Sequence, residues 1–94
     1  MFASGQFVVQ LMERFAPRRL AVEGDRIGLQ VGTLQKEIRK ALVALDVTDA
    51  VVDEAIAAGV DLIIAHHAVI YRPLPAIDTS TPAGRVYEKL IKND

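Results

Sequence analysis

The chain has no cysteine among its 94 residues. That excludes disulfides and thiolate metal sites, and it does not by itself point to a compartment. Nothing approaches the ~18 unbroken apolar residues of a transmembrane helix, so no membrane partner is expected. No basic block exists either. Lys and Arg total 11 against 12 Asp and Glu, for a net charge of −1, so nucleic-acid binding has no electrostatic support. The start, Met1 to Gln10, lacks a basic segment followed by a long apolar core. No signal peptide is therefore expected, and the expected location is cytoplasmic. A Gly-x-Ser-x-Gly elbow is missing, which argues against a Ser-His-Asp hydrolase. There is no internal repeat, low-complexity tract or linker.

What is present fits one small α/β domain over residues 1–94. A chain of this size buries only about two-thirds of its unfolded surface. Hydrophobic residues nevertheless make up 51% of it, at or slightly above the usual share. The surplus points to surface meant for burial against something else, so self-association is expected.

Histidine is scarce, and its placement is the strongest signal. The two histidines are adjacent, at the end of Val60-Asp61-Leu62-Ile63-Ile64-Ala65-His66-His67. Val60–Ala65 is short, almost wholly apolar and follows Gly59. It reads as a parallel strand buried on both faces. Ala41-Leu42-Val43-Ala44-Leu45-Asp46-Val47 reads as a second. Between them, Thr48 or Asp49 caps a helix, Val51, Val52, Ala55 and Ile56 form its inward stripe, and Gly59 stops it. This β-α-β pattern predicts parallel strands with a right-handed crossover. The expected architecture is therefore a β-α-β unit with flanking helices, part of a three-layer α/β domain.

The flanks are legible too. Ser4 caps a helix whose apolar face is Phe7, Val8, Leu11, Met12 and Phe15, ended by Pro17. Arg18–Thr33 is irregular and holds three glycines in nine residues, Gly24 to Gly32. Its spacing matches neither the Rossmann nor the Walker pattern, and composition favours a structural turn over a binding loop. Asp25 reads as an Asx-turn residue. Lys36–Lys40 reads as a polar connection. Pro73 and Pro75 mark a loop or edge segment. Thr81 and Pro82 open a last helix faced by Val86, Tyr87, Leu90 and Ile91.

In open α/β sheets, ligands bind just beyond the carboxyl ends of the strands. His66 and His67 fall there, and imidazole is a common metal ligand. Successive residues of an extended segment point to opposite sides. The pair therefore either turns after Ala65 so that both rings converge, or serves two ions ~3.5–4 Å apart. Asp46, at the end of the neighbouring strand, is the nearest source of an oxygen ligand. It equally suits a capping role for the following helix. Polar residues that merely end a strand remain the plain alternative for the pair.

Several stretches together resemble the NGG-interacting-factor-three-like family, also described as GTP cyclohydrolase type 2 homologues. They are Gly24-Asp25-Arg26-Ile27-Gly28-Leu29-Gln30-Val31-Gly32, Leu45-Asp46-Val47-Thr48, Val52-Asp53-Glu54-Ala55, Asp61-Leu62-Ile63-Ile64-Ala65-His66-His67 and Pro82-Ala83-Gly84-Arg85. The match runs from about Phe7 to the end. It implies a di-metal site at the mouth of an α/β sheet, with His66 and His67 as metal ligands and no catalytic residue assigned. Two divalent ions per full-length subunit are implied, with zinc, manganese, cobalt and iron all compatible. So are hexameric self-assembly and, in part of the family, GTP cyclohydrolase activity on a nucleotide substrate. Two departures are local: Ala68 where proline often follows the histidines, and Asp25-Arg26 where Asp-Asn is common. The larger one is length. The family's remaining ligands, an aspartate and a distant His and Glu, have no counterpart here. The chain is therefore expected to be the N-terminal part of a longer protein and inactive alone. The alternative is a non-catalytic metal-binding or protein-interaction module.

Overall fold

The computed structural model describes residues 3–94. Met1 and Phe2, at the head of the stretch read for a signal peptide, lie outside the described residues. The elements in order are β1 (Ala3–Ser4), α1 (Gly5–Phe15), a 3-10 turn (Arg18–Leu20), β2 (Glu37–Ile38), β3 (Ala41–Ala44), α2 (Asp49–Ala57), β4 (Leu62–Ala65) and α3 (Pro82–Lys92). Among them no helix is long and apolar enough to cross a membrane.

The centre is the β3-α2-β4 unit. β3 and β4 pair in parallel, with Ala41 opposite Leu62 and Ala44 opposite Ala65, as the β-α-β pattern predicts. α2 begins where Thr48 accepts a hydrogen bond from Val51 N–H at 3.2 Å. It ends in a Schellman motif. Val60 N–H donates to Ala55 C=O and Gly59 N–H to Ile56 C=O, with Gly59 at φ 69°, a left-handed turn that a side chain would strain.

The amino ends of the two strands are tied by Asp61. Its carboxylate accepts from Arg39 N–H at 2.9 Å and Lys40 N–H at 3.1 Å, and its own N–H donates to Lys40 C=O. The Arg39 and then the Lys40 hydrogen bonds hold the Asp61 carboxyl below its ordinary pKa of 3.8. A carboxyl depressed in the folded state adds stability above its unfolded pKa and loses it as pH falls through the folded value. Thermal melts should therefore show wild-type stability dropping below pH 3.8. Asp61→Asn should be less stable at neutral pH and show a shallower acid slope; an unchanged slope would remove Asp61 from this role.

The helices flank this unit. α2 and α3 are clamped by Lys89, whose ammonium reaches Asp49 at 2.7 Å and Asp53 at 2.8 Å. These contacts with Asp49 and Asp53 raise the Lys89 pKa above its ordinary value. α3 opens as expected, with Thr81 Oγ1 accepting from Gly84 N–H at 3.0 Å and Pro82 in its first turn. α1 is capped by Ser4, which accepts from Phe7 N–H at 3.1 Å, and it stops before Pro17.

Four expectations are corrected. Lys36–Lys40 is not only a connection: Glu37–Ile38 forms β2, antiparallel to β1, and Ile38 is in the core. Its single apolar residue among charges gave no strand periodicity to read. The strands are not buried on both faces. β4 is half-buried throughout, and β3 alternates, exposing Ala41 and Val43. The stripe of α1 is mostly uncovered, with Phe15 85% exposed, because the helix docks through its first turn, where Gly5 meets Leu34. The buried hydrophobic set among the described residues is Ile38, Val52, Ala55, Val86 and Tyr87. In α2, Val52 and Ala55 hold the inward stripe, while Ile56 is exposed.

Candidate metal centre

The site grows out of the carboxyl ends of β3 and β4. Extending their register by two residues from the Ala44–Ala65 pair sets Asp46 opposite His67. Neighbouring strands run ~4.8 Å apart, so side chains at such positions can touch. They do: His67 Nδ1 and Asp46 Oδ1 lie 2.7 Å apart. Both side chains are more than half exposed, so the contact contributes little net stability.

The backbone bends at His66 and His67. His66 N–H donates to Ala44 C=O at 3.1 Å and His67 N–H to Leu45 C=O at 3.0 Å. In a regular strand successive N–H groups point to opposite edges. Here both point towards the β3 segment, and the rings gather on one side. Their centroids are 4.9 Å apart with planes at 77°. The backbone thus turns after Ala65.

Asp46 does not cap α2, because Thr48 does. Asp25 turns on its own neighbour, accepting from Arg26 N–H at 2.9 Å. The glycine-rich loop lies against the segment that follows the histidines. Arg26 Nε donates to Tyr71 C=O at 2.8 Å, and Gln30 Oε1 accepts from Ile70 N–H at 3.3 Å. At Gly28, φ is 95°, which keeps this loop to glycine at that turn. These two ties span 45 and 40 residues, and no local pattern announces them. The sequence reading therefore missed that Arg26 and Gln30 brace the histidine segment.

Two imidazoles and one carboxylate are suitable donors for a borderline divalent ion. Among the described residues, however, no group of three or more His, Cys, Asp or Glu side chains is arranged to hold one. The donor chemistry fits a metal, as part of a coordination shell.

Parallel strands joined through a helix define an α/β protein, with His66, His67 and Asp46 past the strands' carboxyl ends as its candidate site. A model of the Duf34/NIF3 (NGG1p interacting factor 3) family matches residues 3–94, and the chain belongs to that family. It is 56% identical over 92 residues to a protein of Halalkalibacterium halodurans named GTP cyclohydrolase 1 type 2 homolog, covering 98% of this chain and 25% of that protein. It is 56% identical over 91 residues to the Bacillus subtilis protein of the same name, covering 97% and 24%. The chain thus spans about a quarter of the length of these curated relatives. Among solved structures, a Bacillus cereus protein related to NIF3 superposes with a TM-score of 0.97 at 51% identity, over 100% of this chain and 26% of that one. Reduced HcgD from Methanocaldococcus jannaschii gives 0.91 at 36% identity, over 100% and 38%.

Proposed function

We propose that the chain supplies the two-histidine part of a di-metal centre in a hydrolase-type protein, with His66 and His67 as metal ligands. The observation that supports this reading most is the gathering of both rings on one side of the bend beyond β4. The name shared by the curated relatives points the same way. Divalent ions, when bound, supply hydroxide at neutral pH and polarise the substrate. Imidazole suits zinc, cobalt and iron, and carboxylate oxygen suits manganese; the reading covers all four. His66 and His67 hold and orient ions, and no residue of the chain is assigned a proton-transfer role. The substrate class is a purine nucleotide, GTP, opened by hydrolysis in the complete centre. Self-assembly into homo-oligomers, hexamers in full-length relatives, and a cytoplasmic location belong to the same reading. Exposed Phe15, Val43 and Leu45 offer apolar surface for such contacts.

The test is turnover. Metal-loaded full-length Bacillus subtilis relative should consume GTP and release formate, and the 94-residue chain should not. If the full-length protein binds metal yet leaves GTP intact, the second reading takes its place: a non-catalytic metal-binding or interaction module.

A further inference from the structure

We propose that Asp46 is the positioning residue of His67 and not a metal ligand: its carboxylate holds the proton on His67 Nδ1 and leaves Nε2 as the nitrogen offered to an ion. The metal half of this statement rests on the proposed function; the tautomer half does not.

Three observations carry it. First, the pair is short and direct, at 2.7 Å between His67 Nδ1 and Asp46 Oδ1. An ionised carboxylate can only accept, so the shared hydrogen belongs to the ring nitrogen. A neutral imidazole then has its lone pair on Nε2 alone. Second, the arrangement is built into the sheet. The β3–β4 register sets Asp46 opposite His67, and the amides of His66 and His67 are anchored on Ala44 and Leu45 of the Asp46 side. The two side chains thus approach from backbones that are themselves fixed to one another. Third, the carboxylate is directed at a ring nitrogen, and among the described residues Asp46, His66 and His67 do not form a three-donor group around one ion. Carboxylate–histidine–metal chains are a general device. The outer carboxylate sets the tautomer, aims the ring and raises its basicity, and its loss typically costs about 10–100-fold in metal affinity.

No hydrogen bond from a carboxylate to the His66 ring is found among the described residues; the two imidazoles stand 4.9 Å apart with planes at 77°. The two histidines therefore differ in kind. His67 is preset, and His66 is free to choose its donor nitrogen when an ion arrives.

The experiment is ring-nitrogen NMR on the 15N-labelled 94-residue chain at alkaline pH, without metal, followed by titration with zinc alone. In the wild type, His67 should be predominantly the Nδ1–H tautomer, and zinc should shift Nε2. Asp46→Ala should lose that preference and weaken zinc binding about 10–100-fold. Asp46→Asn can turn its NH2 donor to Nδ1, which should shift His67 toward the Nε2–H form and lower zinc affinity together with the tautomer. A ligand role predicts instead that Asp46→Asn loses affinity with the His67 tautomer unchanged. A wild-type His67 predominantly in the Nε2–H form overturns the proposal, as does zinc bound at Nδ1. If Asp46→Ala does not fold, the wild-type tautomer and the Asp46→Asn titration still decide. A correct tautomer that Asp46→Ala abolishes, with no zinc-induced shift at either histidine, would support the positioning role and overturn the metal reading instead.

Discussion

Replacing His66 or His67 with alanine is expected to abolish divalent-ion uptake by the chain, and the wild type should hold at most one ion, weakly. Catalytic sites usually give a divalent ion three protein ligands. The described residues offer no group of that size, so one ion would be held by the imidazole pair and water. Losing either ring leaves a single donor, which in water does not compete with hydration. A second ion would face the first with no bridging carboxylate between them. Two dications ~4 Å apart repel by about 4 kcal/mol even at the dielectric constant of bulk water. That lowers the affinity for the second ion by roughly a thousandfold. Elemental analysis of the purified chain, with titration calorimetry against zinc, manganese and cobalt, measures both quantities. Two tightly held ions per chain would sink this expectation and require ligands from Asp25, Glu23 or a neighbouring chain.

The other large effect concerns the first turn of α3. Gly84→Ala should destabilise the fold by about 3 kcal/mol or more, against a total of about 5–15 kcal/mol for an ordinary domain. Helix propensity alone predicts the reverse, a gain of about 1 kcal/mol. Packing decides the sign. A Cβ on Gly84 would overlap the carbonyl of Asp78 and come within 2.9 Å of Thr81 Oγ1. The obstacle is backbone, so it cannot swing away like the end of a flexible side chain. Segment 78–81 would have to move. That would break the ties of the segment to the helix, the Thr81 cap of Gly84 N–H at 3.0 Å and the Arg85 N–H bond to Thr81 C=O at 3.0 Å. Urea unfolding compares the variant with Ala83→Gly, which should cost only the propensity difference of about 1 kcal/mol. A Gly84→Ala chain as stable as wild type would mean that this close approach does not constrain the fold.

The amino-acid sequence by itself determined the local elements. Ser4, Thr48 and Thr81 cap the three helices, because a hydroxyl beside a helical run satisfies an otherwise free N–H. Pro17 and Gly59 end two of them for equally local reasons. Apolar runs of strand length around one helix were enough for a parallel pair, since β-α-β connections leave little topological choice. The position of His66 and His67 at a strand's carboxyl end followed from the same pattern, and the family from motif order.

Tertiary structure decided the rest, wherever partners lie far apart along the chain. β1 and β2 are two residues each, too short for any periodicity, and they exist because residues 3–4 and 37–38 meet. Arg26 and Gln30 brace the segment after the histidines across 45 and 40 residues. Whether Asp46 caps α2 or meets His67 turned on register. A slip of one residue would send Asp46 to the other face of the sheet, and only the Ala44–Ala65 pairing brings it to Nδ1 of His67. Which apolar residues are buried was also beyond local reading. Val52 and Phe15 are both on inward-reading stripes, yet one is 1% exposed and the other 85%. Periodicity says which residues share a face, while the packing of neighbouring elements says whether that face is covered.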